Sequence, residues 1–275
     1  MAVGSTVSDE VRSYYRRILP FYDLELADRG DGDLWAAEAG DPAGSRVLEL
    51  GAGTGRATRF LAHTAGRVVA FDLLPQMVAV ARRRLATLPN VSLLVADMRH
   101  VAFRSTFDLI AAVDDPFVHL ITDDDRDRAF TAAARHLAPA GRMILDTAWL
   151  SPERRAVAGG KGLAIERSER GGLEVRETWR CDPETRVCIA SFEYRLQGRR
   201  VEQASFAARL WSIEELETRA AAAGLQVARL WGDYDRRTWN RQTSSRLIAE
   251  LRRAGWVQEK SIGTDAPDAP SKVRS

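Results

Sequence analysis

The stretch "VLELGAGTGR", residues 47–56, sets three glycines at alternate positions directly behind an apolar segment. An apolar strand that ends in bare backbone and turns straight into a helix is the ligand-facing corner of a doubly wound sheet. A plain strand-to-helix turn also favours glycine, so the neighbouring segments must decide whether this corner holds a ligand. The dinucleotide pattern G-x-G-x-x-G fits poorly, because the third glycine comes one place early and Arg56 stands where it should be. Glu49, just ahead of the loop, is a poor neighbour for a pyrophosphate and a good one for an ammonium.

The segments that follow alternate regularly. "RVLEL", "RVVAFD", "VSLLVAD", "FDLIAAVDD" and "GRMILDTAW" read as buried strands, with helices "RATRFLAHTA", "PQMVAVARRRLATL" and "DDDRDRAFTAAARHL" between them. Such alternation predicts a parallel sheet covered on both faces. Thr122 makes Asp123 to Asp125 first-turn helix acids rather than a metal site. Beyond Ser151 the period becomes two. Leu173, Val175, Trp179 and Cys181 share one face, as do Cys188, Ala190, Phe192, Tyr194 and Leu196, with Gly171-Gly172 and Gly198 at turns. That pattern predicts an antiparallel meander with one wet face. Ser212 and Glu215 then form a capping box and Gly224 a C-cap, before two last strands in "LQVARLWGDY" and "SRLIAEL". Near the N-terminus, Ser8 opens a helix carrying Tyr15, Leu19 and Tyr22, which ends near Pro20 and Asp23, and "DRGDGD" reads as a loop.

Composition narrows the function. Lys and Arg total 40 against 38 Asp and Glu, a formal charge of +2, which argues against a nucleic-acid binder. No run approaches a membrane span or the core of a signal peptide, so a cytoplasmic protein is expected, with no membrane partner. In that setting Cys181 and Cys188 are expected as reduced thiols, and no metal-ligand cluster is visible.

Asp72 and Asp97 end the second and third strands. A carboxylate at the first position can accept both hydroxyls of a ribose. One at the second, in "VADM", can take an adenine amino edge while the next side chain packs on the ring. Each alone is an ordinary turn residue. Together with Glu49 and the glycine loop, they point to adenosine bearing an amino-acid moiety and no phosphate. Here the chain resembles the class I S-adenosylmethionine-dependent methyltransferases. "VLELGAGTG" is similar to their first motif, "VVAFD" to their ribose-binding acid, "VADM" to their adenine segment and "FDLIAAVDDPFVHL" to the strand and loop facing the methyl group. The match runs over roughly residues 40 to 150. The remainder resembles, more loosely, glycine and amino-sugar N-methyltransferases.

The resemblance implies an α/β fold, a Rossmann-like seven-stranded sheet whose last strand is antiparallel, with an inserted β-meander as a lid. It implies a helical cap over the cofactor at 1–40 and a methyltransferase domain at 41–257 with the lid at 163–204, while the polar composition of 258–275 reads as a disordered tail. S-adenosylmethionine contacts are expected from Tyr15, Tyr22, Glu49, Gly51, Ala52, Gly53, Gly55, Asp72, Leu73, Met77, Asp97, Met98 and Val113. His119, Tyr22 and Asp114 are the catalytic candidates. His119 has an equal reading as a core histidine and Tyr22 as part of the apolar stripe, while Asp115 before Pro116 reads as a turn acid. Tyr194, Arg209 and Trp211 are possible substrate contacts from the lid, Trp211 more simply as core. The expected activity is methyl transfer to a small-molecule acceptor, most simply an amine nitrogen, by a possible homo-oligomer. O-methylation with a general base and a non-catalytic cofactor-binding subunit are the alternatives.

Overall fold

The computed structural model describes residues 3–257 apart from 28, 42 and 43, so the expected tail at 258–275 lies outside the described residues. Helix α1 (Val3–Glu25) begins ahead of Ser8 and continues through Pro20. Helix α2 (Gly32–Glu38) overlaps the stretch read as a loop, because Leu34 and Trp35 are apolar enough to seat it in the core.

The alternating region forms β1 (Arg46–Leu50), α3 (Arg56–Thr64), β2 (Arg67–Asp72), α4 (Pro75–Arg84), β3 (Val91–Val95) and β4 (Phe107–Ala112). Helix α5 (Asp123–His136) then runs straight into β5 (Leu137–Ala148). The Thr122 hydroxyl accepts the Asp125 N–H at 3.1 Å, so the three aspartates do occupy a capped first turn. Helix α6 (Pro152–Gly159), which hydropathy periodicity misses, is opened by Ser151 and a first-turn proline.

Four strands follow: β6 (Leu163–Glu169), β7 (Leu173–Cys181), β8 (Val187–Leu196) and β9 (Arg199–Arg209). They form a separate antiparallel sheet in sequential order, and its last strand runs beyond the expected limit at 204. Helix α7 (Ile213–Ala222) leads to β10 (Leu225–Trp231) and β11 (Arg246–Arg253). The main sheet has the order β10-β11-β5-β4-β1-β2-β3. Strand β11 is antiparallel to both its neighbours, and the pairings from β5 through β4, β1 and β2 to β3 are parallel.

Alternation along β1 shows how the layers form. Leu48 and Leu50 face the side covered by α5 and α7, whereas Val47 faces the side covered by α2 and α3. A third apolar cluster joins Tyr14 and Ile18 of α1 to Leu173, Val175, Ala190 and Tyr194 of the small sheet. The cysteines depart from expectation. Cys181 and Cys188 form a disulfide, because the β7–β8 register sets them directly opposite each other. No described helix is long and apolar enough to cross a membrane.

Candidate active site

The glycine loop is built for close packing rather than for donating hydrogen bonds. Gly51, Gly53 and Gly55 have φ of 71°, 55° and 78°, the left-handed region that other residues enter at a cost. A Cβ on Gly51 would lie 2.6 Å from Pro116, and one on Gly55 would lie 2.8 Å from Leu85. At Gly53 the obstacle would be the Tyr22 hydroxyl, at 3.0 Å. Three of the loop amides are already engaged. Ala52 N–H donates to the Phe71 carbonyl, Gly53 N–H to Asp72 Oδ2 at 2.8 Å and Gly55 N–H to the Ala52 carbonyl. A pyrophosphate needs such amides free.

A cavity opens above this loop at the ends of β1, β2 and β4. Asp72 stands on its wall, held by the Gly53 and Leu74 amides, one to each carboxylate oxygen. Burial pushes Asp72 above the usual carboxylate range, against those two hydrogen bonds. Each oxygen keeps a lone pair, so this carboxylate can accept ribose hydroxyls. Leu73, Leu74, Met77, Ala96 and Met98 form an apolar slot beside it, suited to a flat heterocycle. Asp97 is less available. Arg99 clamps it through Nε, Nη2 and its own N–H, and reaches Asp125 at 2.7 Å. Burial alone would raise Asp97, but the Arg99 hydrogen bonds outweigh it and hold the carboxyl below its ordinary value.

A second cavity lies between α1, the small sheet and the loop after β10. Tyr15, Tyr22, Asp114 and His119 line both cavities and so mark their junction. Asp114 and Asp115 follow β4 with φ of 57° and 65°, consecutive left-handed residues of the kind found where function holds the backbone under strain. That turn aims the Asp114 carboxylate at Arg29 and Arg246. Burial alone would raise Asp114, but Arg29, then Arg246 and Arg56, hold it well below the usual range. The Asp115 carboxyl accepts the Ala148 N–H at 3.0 Å, and burial pushes it up to about 7. His119 ends a short 3-10 turn begun by Pro116, and its Nε2 lies 2.8 Å from the Tyr15 hydroxyl. Burial pushes the imidazole down to about 4 and both tyrosines upward.

Most of the residues singled out in the sequence meet at these cavities: Tyr15, Tyr22, Gly51, Gly53, Asp72, Leu73, Met77, Asp97, Met98, Val113, Asp114 and His119. Three are not on the wall. Gly55 is turned against α4, and Ala52 is tied to β2. Glu49 lies under the loop beside Thr58 of α3, where burial pushes it up to about 8 and Oε2 has no partner. The suggested lid contacts serve structure instead. Tyr194 bonds Tyr14 and Glu25, Arg209 bonds Asp123 and Glu215, and Trp211 is core beneath Arg126. Sequence reasoning missed Val11, Arg99, Pro116 and Asp125 on the first cavity. Pro116 had a local signal, since it sits in the loop already singled out after β4.

A doubly wound sheet whose switch point offers a ribose-type carboxylate, an apolar slot and no free amide cradle defines an enzyme of adenosine-cofactor type. The comparisons make the class specific. Residues 47–141 match the family model for a methyltransferase domain. The dTDP-3-amino-3,6-dideoxy-alpha-D-glucopyranose N,N-dimethyltransferase of Streptomyces fradiae is 28% identical over 240 residues, covering 82% of this chain and 91% of the relative. An S-adenosylmethionine-dependent methyltransferase from Clostridium acetobutylicum superposes with a TM-score of 0.71 at 17% identity, over 88% of this chain and 100% of that one. A SAM-bound amino pentose methyltransferase from Micromonospora echinaspora does so with a TM-score of 0.60 at 27% identity, over 88% and 96%. The chain carries a methyltransferase domain and is an S-adenosylmethionine-dependent methyltransferase.

Proposed function

We propose that the protein transfers a methyl group from S-adenosylmethionine to the amine of a small molecule bound in the second cavity. The observation that carries this is the junction of Tyr15, Tyr22, Asp114 and His119 between the two cavities. When bound, S-adenosylmethionine supplies a methyl already activated by its sulfonium, and its departure leaves a neutral thioether. Asp72 would hold the ribose, the slot between Leu74, Met77 and Met98 the adenine, and Gly51 and Gly53 the close approach of the amino-acid arm.

The junction is poor in bases. An imidazole that ionises near 4 is a weak proton acceptor, and Asp114, doubly paired with arginines, is weaker still. Tyr15 and Tyr22 are shifted away from ionisation. A hydroxyl acceptor needs its proton removed as it attacks, whereas an amine needs only to be its free base. Asp115 titrates closer to neutrality, but it lines the second cavity alone and one oxygen is committed to Ala148. What this junction offers is placement: Tyr15 fixes the imidazole and Tyr22 closes over Gly53. Positioning of this kind can supply on the order of 7–11 kcal/mol of a displacement barrier. The amino-sugar relatives support nitrogen as the acceptor atom.

The test is turnover with labelled S-adenosylmethionine against paired amines and alcohols of matched shape, followed by mass. N-methylated products are expected. Products methylated only at oxygen would reject the reading.

A further inference from the structure

Three guanidiniums face the second cavity, and each is matched by acids. Arg29 pairs with Asp114, Arg246 with Asp114 and with Asp146 at 2.6 Å, and Arg167 with Glu177 and with Glu25 at 2.8 Å. Four carboxylates therefore bracket three arginines. Asp115 and Asp233 also line this cavity. The Asp115 carboxyl accepts the Ala148 N–H and lies beside the Thr147 hydroxyl. The rest of the wall is largely apolar, with Ile18, Ile165, Trp179, Phe192 and Phe206.

This balance discriminates between acceptors. A diphosphate in this cavity would find no guanidinium that is not already held by a carboxylate, and it would lie among like charges. An ammonium would meet the opposite field, and Trp179, Phe192 and Phe206, the last two stacked on each other, line the cavity as a surface for an apolar body. Resting on the amine reading above, we infer that the acceptor is a phosphate-free amine that enters as an ammonium on an apolar or aromatic framework. A nucleotide-linked amino sugar is not the substrate class. In this the chain parts from the Streptomyces fradiae relative, whose name specifies a dTDP-linked sugar. The same negative wall holds the bound amine protonated, so the rate climbs with pH as the ammonium gives its proton to solvent.

Titration calorimetry on the full chain loaded with S-adenosylhomocysteine tests the inference with phenethylammonium, phenethyl alcohol and dTDP as probes. Phenethylammonium is expected to bind at least about tenfold more tightly than the alcohol, with no saturable heat from dTDP. Glu177→Gln should weaken the ammonium and leave the alcohol unchanged, which separates charge from packing. Binding of dTDP, equal affinity for amine and alcohol, or no binding of the amine overturns the inference. Methylation of a dTDP-amino sugar at nitrogen would overturn it while leaving the amine reading intact. Transfer only to oxygen would instead remove the amine reading.

Discussion

His119 shows what burial does to a titratable side chain set between two cavities. A histidine close behind the fourth strand suggests a base that works near neutrality, but its imidazole is pushed down to about 4 and is neutral wherever an amine could react. His119→Ala is therefore expected to lose less than about a hundredfold in kcat, short of the upper range for removal of a true general base. The pH–rate profile should show no limb near the ordinary imidazole value of 6.5 that disappears in the variant. A larger loss together with such a limb would restore general-base O-methylation. Glu49 carries the opposite shift. Its carboxyl moves from 4.5 to about 8, so between those values the folded chain keeps a proton that the unfolded chain has lost. Stability must then fall as pH rises through that window. Glu49→Gln, which cannot titrate, should gain on the parent by a few kcal/mol as the buffer moves from about pH 5 to about pH 8. Urea midpoints that stay parallel would show the shift to be absent. The place of Asp72 on the cavity wall was legible because strand ends beside a glycine loop form the ligand-facing edge of a doubly wound sheet. The Asp97–Arg99 clamp was not, because a side chain's choice between ligand and neighbouring guanidinium is made in three dimensions.

At the scale of elements, periodicity read the strands well and the short helices badly. Strands β1, β2, β4 and β5 are buried on both faces and long enough to be seen as apolar runs. Helices α2 and α6 span only 7 and 8 residues, too few for a 3.6-residue repeat to rise above the surrounding polar text. The disulfide follows from the β7–β8 register, whereas the expectation of reduced thiols rested on compartment alone. Glu215 was read as a capping-box partner. Its N–H does bond the Ser212 hydroxyl at 3.2 Å, but its carboxylate joins Arg126, Arg186, Arg209 and Arg219, at 3.1, 2.6, 2.8 and 2.9 Å. These residues knit α5, the turn before β8, the end of β9 and α7 together. Arg126 is fully buried against Trp211, and Glu215 is the carboxylate that pairs with it directly. Glu215→Gln would leave that charge unpaired in the interior. A loss of about 3–5 kcal/mol in unfolding free energy is expected, read from denaturant titration. A change of under about 1 kcal/mol, the worth of a surface pair, would mean that Arg126 finds another partner.

At the scale of the whole molecule, α1 ties the two sheets to the two cavities. Its buried face, Tyr14 and Ile18, packs on the small sheet, while Val11, Tyr15 and Tyr22 form one wall of the cofactor cavity. Glu25 at its end meets Arg167 of β6 and the Tyr194 hydroxyl of β8. A meander that simply covered the acceptor could be removed without touching cofactor binding. Here, loss of that sheet would strip α1 of its apolar support, so the helix and the small sheet should act as one unit. Helix α2 behaves differently, because Trp35 lies in the core with α3, and it belongs to the body of the domain. Filling the cofactor cavity adds contacts to the inner face of α1 and none to its outer face, which already has its partners. Hydrogen exchange followed by mass spectrometry should then show slower exchange across residues 9–25 when S-adenosylhomocysteine is added, since a ligand that binds only the closed form lowers the open population. Strands β4 and β5, inside the sheet, should exchange near the global limit and change only as far as global stability does. If protection rises at the glycine loop but not in α1, then the helix is not part of the cofactor site, and the junction formed by Tyr15 and Tyr22 loses its role in transfer.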